Sequence, residues 1–303
     1  MPQHVNAHGQ IVGYATEPSL QTRHAFFWEP VGGSGTPQWR ANRLDDRGAV
    51  SSEATAINTQ GDIIGITWTP DGTAHACLWQ QGTRYEIRNA SPPNSDKTVW
   101  HPTAINARRE IVGWGTDSQN RLHLGYCPPI TKFTGSSIIA PANWIDLGIG
   151  YQVALNDAGD IVGDFKAEDG QIHACRWQIL SRDSRKTGKS GESGDSRRRT
   201  VLESLPGTGE SHALAINRQG QIVGRVVRTG TSTTEPGEPV PVLWEQGHII
   251  DLNRRLITRF AGKLEEAIAI NDSGQILCTA RQGIWGRAVL LTPRAGGYTI
   301  QVF

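Results

Sequence analysis

The chain has 303 residues, with 30 Lys+Arg against 29 Asp+Glu, a formal net charge of +1 and only 19% charged residues. Such a balance excludes a DNA binder driven by polyanion attraction, and no apolar run approaches the ~20 residues that span a bilayer. Thirty-five glycines exceed the about 7% usage of ordinary proteins and point to many tight turns. Ten Trp beside one Met and six Phe indicate that Trp is used repeatedly at one kind of position.

Taken in chain order, the sequence repeats itself six times. VNAHGQIVG, AINTQGDIIG, AINARREIVG, ALNDAGDIVG, AINRQGQIVG and AINDSGQILC place an asparagine at Asn6, Asn58, Asn106, Asn156, Asn217 and Asn271. A second element follows at a fixed offset: HAFFW, HACLW, HLGYC, HACRW, VPVLW and RAVLL. Each repeat then closes with a third short apolar run: PQWRANRL, RYEIRN, NWIDLG, TVLESL, HIIDLN and YTIQVF. These runs are four to eight residues long, rich in β-branched and aromatic residues and bounded by turn formers, which is the pattern of strands. The Asn-x-x-Gly step predicts a tight hairpin in which Asn bonds its own backbone and Gly takes a positive φ. Arg109 stands in the Gly place of the third copy, where it implies ~1 kcal/mol of strain or another turn shape.

Four antiparallel strands in each of six repeats predict an all-β chain, a six-bladed β-propeller of four-stranded antiparallel blades. The approximate blades are 1–44, 45–95, 96–148, 149–205, 206–256 and 257–303 within a single domain 1–303. Two loops break the period. The first, 181–200, is polar and basic and is expected to be a disordered hairpin tip; the second, 228–239, carries no recognisable chemistry. The four cysteines, Cys77, Cys127, Cys175 and Cys278, have no metal or redox spacing and are expected to be buried thiols.

The repeated AIN-x-x-G-x-IVG followed by HAFFW or HACLW resembles the HAF repeat family, named for its His-Ala-Phe run. The resemblance spans nearly the whole chain, although repeats 5 and 6 lack the His. It implies a propeller-like fold and an extracellular location, and it implies no particular activity. The first residues, Met1 to Gly13, show neither the charged nor the apolar region of a secretory leader. The expected location is therefore cytoplasmic as written, or extracellular if a leader was removed.

Residues shared by all repeats are framework, so function is sought where the copies differ. Trp28, Trp79, Trp177 and Trp244 recur in register and suit packing between blades. His24, His75, His123 and His173 recur likewise and are expected to hydrogen-bond neighbouring backbone. Five residues before the repeat Asn the copies read Met1, Glu53, His101, Tyr151, His212 and Glu266. Were the first strand innermost, Glu53, His101, Tyr151, His212 and Glu266 would meet at a channel mouth as acid and base groups or as metal ligands. A local hydrogen-bonding role for each fits the same pattern.

A second varied stripe follows the Gly of the second strand. Tyr14, Trp68, Trp114, Asp164, Arg225 and Arg281, with Trp100 beside His101, would suit an aromatic or amphipathic ligand; ordinary packing between blades is the alternative. No GxSxG, HExxH, P-loop, GxGxxG or EF-hand motif occurs. The expected function is thus binding of a small organic ligand or a protein partner, without a predicted cofactor and with a divalent metal compatible. The alternatives are a lyase, cyclase or hydrolase using the Glu/His/Tyr ring, and a protein–protein scaffold. Trp39, Trp144 and Trp285 also fall outside the repeated register.

Overall fold

The computed structural model describes residues 1–19, 21–32, 38–88, 100–131, 133, 135, 137–139, 145–168, 170–179, 197–229 and 237–303, with 137–139 and 197 described by backbone alone. The fold is the six-bladed β-propeller that the repeats predict, each blade built on four antiparallel strands. The blades fall into two compact units, Met1–Leu147 and Gly148–Phe303.

In the first unit, blade 1 consists of β1 (Pro2–Val5), β2 (Ile11–Glu17), β3 (Thr22–Val31) and β4 (Gln38–Arg43). Blade 2 consists of β5 (Ser51–Ile57), β6 (Ile63–Trp68), β7 (Ala74–Gln80) and β8 (Thr83–Arg88). Blade 3 has β9 (His101–Ile105), β10 (Ile111–Thr116) and β11 (Leu122–Cys127), closed by β13 (Ile145–Ile149). The intervening β12 (Ser137–Ile139) pairs in parallel with β8 and gives blade 2 a fifth strand that the period does not announce.

In the second unit, blade 4 consists of β14 (Val153–Leu155), β15 (Ile161–Lys166), β16 (Ile172–Ile179) and β17 (Arg197–Val201). Blade 5 has β18 (Thr208–Ile216), β19 (Ile222–Arg228), β20 (Pro239–Glu245) and β21 (His248–Asp251). Blade 6 has β22 (Lys263–Ile270), β23 (Ile276–Gln282), β24 (Trp285–Arg294) and β25 (Gly297–Val302). The four antiparallel strands of each blade follow chain order, and blades 1, 4, 5 and 6 are each drawn from one continuous stretch of sequence, whereas blade 2 also takes β12 from within the stretch that forms blade 3. Most of 181–200 lies outside the described residues, but 197–200 belong to β17. Pairing with β16 orders them, which corrects the expectation of disorder for that part. Loop 228–239 is described only at its ends.

Apolar cores lie between neighbouring blades. Val12, Ala54, Ile57, Cys77 and Trp79 fill the space between blades 1 and 2, and Ile64, Leu78, Ile105, Ile111 and Cys127 that between blades 2 and 3. Val162, Ala213, Val242 and Trp244 join blades 4 and 5, and Val223, Leu243, Ala267 and Val289 join blades 5 and 6. The framework tryptophans Trp79 and Trp244 serve this packing. Trp79 also donates its indole N–H to the Asp45 carbonyl at 2.6 Å, and Trp244 to that of Glu203 at 2.7 Å, so each ties back to the preceding loop.

The repeat asparagine does more than form a turn. Asn58 Oδ1 accepts from the amides of Gln60 and Asp62, and its Nδ2 donates to the Asp62 carboxylate and to the carbonyl of Asn106. All four hydrogen bonds open to a side-chain amide are thereby made. The same interblade step recurs from Asn6 to Asn58, Asn156 to Asn217 and Asn217 to Asn271 at 2.9–3.1 Å. The turn glycines have the expected positive φ, and Arg109 adopts it too, at 59°.

The glycine of the second strand has a separate cause. A Cβ on Gly65 would stand 2.0 Å from the Glu53 carbonyl oxygen, and Gly13, Gly113, Gly163 and Gly224 face the same obstacle at 1.9–2.2 Å. There β5, β9, β18 and β22 are bulged, which advances the register by one residue.

Candidate functional site

In blades 2, 3, 5 and 6 the bulge places the residue five before the Asn directly across from the residue after the second-strand position usually held by Gly, whereas β14 of blade 4 pairs without a bulge and leaves Tyr151 out of that place. His101 faces Trp114, His212 faces Arg225, Glu53 faces Ile66 and Glu266 faces Thr279. Within each of these blades the two stripes expected from the sequence therefore lie side by side, at the end where its first strand begins.

In the second unit they interlock across blades. Asp164 of β15 is 0% exposed, and its Oδ2 lies 2.7 Å from Nδ1 of buried His212 on β18. Its Oδ1 accepts the backbone amides of Tyr151 and Gln152 at 2.5 and 3.0 Å. Three donors offset the cost of burying that carboxylate. With Nδ1 so occupied, Nε2 remains for outside work, and its nearest acidic neighbour is Glu210 Oε2 at 4.0 Å. The next step repeats the arrangement with charge reversed: Arg225 of β19 meets Glu266 of β22 at 2.8 Å. Arg225 also has a buried Nε without a hydrogen-bond partner. Exposed Arg281 pairs with Glu265 at 2.8 Å, and Tyr151 is an exposed ring at the start of blade 4.

Beside Arg281 lies a cleft of about 730 Å³, within the size range of small-ligand sites. Lys263, Glu265, Glu238 and Pro239 line it, and Lys263 and Glu238 form an ion pair across it. A smaller cleft of about 320 Å³ lies at the opposite end of blades 5 and 6, among Gln219, Gln221, Glu245, Asp272 and Tyr298.

The first unit uses the same positions differently. His101 stacks on Trp114, with centroids 3.9 Å apart and planes 5° from parallel. Burial pushes the His101 imidazole below its ordinary pKa, against a smaller opposing pull from the Glu53 carboxylate. Glu53 is ion-paired to Arg23 of β3, whose guanidinium also covers the Tyr14 ring at 4.8 Å. Trp68 is half-buried at the end of β6. Trp100 is 2% exposed within the core of blades 2 and 3, so it cannot wall an open ligand site as the sequence suggested.

Three of the four in-register histidines lie against carboxylates rather than the expected backbone. His75 meets Glu86 at 3.2 Å, His123 bridges Asp117 and Asp146 at 3.2 Å, and His24 lies 3.5 Å from Asp46. Alternation brings each close to an acidic side chain on the next strand or in the loop after it. The hydrogen bonds to Asp117, first among them the Arg121 backbone amide, hold its carboxyl far below the usual range. Among the described residues no three His, Cys, Asp or Glu side chains converge to hold a metal ion, and no helix is long and apolar enough to cross a membrane. Arg23, Glu210 and Lys263 are partners the sequence did not single out, because only spatial pairing reveals them.

No family model and no curated protein matches the chain. Among solved structures, the chain is similar to the β-propeller domain of the Trilobed protease from Pyrococcus furiosus. The TM-score is 0.54 at 7% identity, covering 99% of this chain and 81% of that one. The likeness is one of fold. Weaker similarity joins it to an AofleA mutant from Arthrobotrys oligospora, with TM-score 0.44, 8% identity and coverage of 100% and 86%. A third is the Aleuria aurantia lectin in complex with Fucalpha1-6GlcNAc, with TM-score 0.41, 13% identity and coverage of 99% and 94%.

Proposed function

We propose that the protein is a propeller that binds a small organic ligand at the end where its first strands begin, with the site of the second unit built by Asp164, His212, Arg225 and Glu266. The observation that carries this is the contact between Asp164 and His212. A fully buried carboxylate engaged by three donors fixes one imidazole nitrogen and leaves the other for a polar group of the ligand. Arg225, opposite His212 in the sheet, supplies a second donor, and exposed Tyr151 an aromatic surface. The six repeats support grouping the chain with the HAF repeat proteins.

Native mass spectrometry of the purified protein tests the reading. The wild type is expected to carry a co-purifying small molecule, or to gain thermal stability from a member of a metabolite panel. His212→Asn and Arg225→Gln should lose that effect while keeping the melting temperature of the free protein. A wild type with neither adduct nor shift overturns the proposal, as does a shift that survives both changes.

A second reading, an acid–base enzyme of lyase, cyclase or hydrolase type, is favoured by the same orientation of His212, which suits Nε2 to move a proton. It requires that the ligand be chemically altered on incubation with the wild type and recovered unaltered from His212→Asn. Recovery unaltered from both leaves binding alone.

A further inference from the structure

At the first-strand end of blade 6 the surface is apolar where a water-facing tip should be polar. The β23–β24 hairpin turns through Gly283 and Ile284, and Ile284 is 90% exposed with Trp285 next to it at 67%. The last strand brings more apolar surface to the same end. Val302 pairs with Val289, and the Phe303 amide donates to the Ala288 carbonyl at 2.9 Å, placing Phe303 about 10 Å from Trp285 along the strand. Val302 is 43% and Phe303 62% exposed. Scattered exposed apolar residues need no explanation, but four large ones gathered at one end of one blade do.

Shape and charge narrow the occupant. Ile284 and Trp285 stand out from a tight hairpin bounded by Gly283 and Gly286, so they form a projection and not a groove that could receive a helix or strand. Basic side chains stand directly behind the tip: Arg281 is exposed in spite of its pair with Glu265, and Arg287 is exposed on the other strand of the hairpin. An aliphatic and an indole side chain in front of two guanidinium groups match the layers of a bilayer interface, with acyl chains, then carbonyls, then phosphates.

We propose that this tip is a peripheral membrane-docking site, in which Ile284 and Trp285 enter the interface of a bilayer and Arg281 and Arg287 engage the phosphates of anionic lipids. The attachment is shallow and reversible, since two apolar side chains and two charges are far short of a spanning segment.

Co-sedimentation of the full chain with vesicles tests it, comparing phosphatidylcholine alone with phosphatidylcholine containing about 30 mol% phosphatidylglycerol. The expected result is binding to the anionic vesicles at least about tenfold stronger than to the neutral ones, weakened by salt. The double change Ile284→Ser and Trp285→Ser should abolish binding, and Arg287→Glu should weaken it. Both sites are exposed, and unchanged thermal unfolding verifies that these variants fold. Absence of binding to anionic vesicles, equal binding to neutral ones, or binding retained by the double variant overturns the proposal. So does a concentration-dependent dimer that the double change dissolves, since the tip would then serve a second copy of the chain.

Discussion

The side-chain amide of Asn58 donates to the main-chain carbonyl of Asn106, 48 residues further on, at 3.1 Å. It does so while closing its own turn, so one residue type sets both the hairpin within a blade and the contact to the next blade. The recurrence at Asn6, Asn156 and Asn217 makes this the shared device of the fold.

Replacement of buried Asn58 by alanine should therefore cost about 3 kcal/mol, because it leaves buried backbone donors and an acceptor unpaired. Asn271, the exposed counterpart in blade 6, should cost only about 1 kcal/mol. Urea unfolding of the two variants compares them, and equal losses would show that the interblade bond adds nothing to the turn.

Arg109 sets two effects against each other. Its positive φ costs about 1 kcal/mol, which glycine would relieve. Its Nε also lies 2.8 Å from the buried Asp62 carboxylate of the preceding blade. Losing a partly exposed cation from a buried carboxylate costs about 2 kcal/mol. Arg109→Gly should thus be less stable than wild type by about 1 kcal/mol, and Arg109→Ala by about 2 kcal/mol, since alanine keeps the strain. A stabilised glycine variant would show the ion pair to be inert.

His101 gives the protein an acid-sensitive contact. Burial lowers its pKa from the ordinary 6.5, so the unfolded chain takes up the proton more readily than the native one. Its contribution is complete above about pH 6.5 and is lost as the pH falls from there through the native value. Between about pH 8 and about pH 5 the wild type should lose more stability than His101→Gln. Parallel losses in denaturant titrations would place the acid sensitivity elsewhere.

The thiols should be inert in the native state. Burial pushes Cys127, Cys175 and Cys278 up to about 12 and raises Cys77 as well. At pH 8 a thiol with that pKa is about 10⁻⁴ ionised. Ellman's reagent should find no fast-reacting cysteine until the protein is unfolded, when all four should react. A rapid native equivalent would reveal an opening near one of them.

Much of this architecture is legible in the repeats. The strands, the turn and the blade number follow from Asn-x-x-Gly and the spacing of apolar runs, because those signals are local. The second glycine is visible as a pattern, but its reason, a carbonyl 2.0 Å from where a Cβ would stand on Gly65, lies in the neighbouring strand. The candidate positions are equally legible as positions. Their partnerships are not: Asp164 finds His212 48 residues away, and Arg23 finds Glu53 across a blade boundary. Trp100 shows the opposite limit, since a lone Trp out of register looks like a ligand wall until its burial is known.

The receiving half of the asparagine contact is main chain. A carbonyl is offered whatever side chain it carries, so an incoming Asn places no demand on the identity of the residue it meets. Where a blade is cut from a single stretch of sequence, as blades 1, 4, 5 and 6 are, this makes its repeat an interchangeable part. A blade could be duplicated, lost or traded in one genetic event and still meet its neighbour's amide, which leaves the residues at the first-strand starts free to diversify on a joint that does not read them.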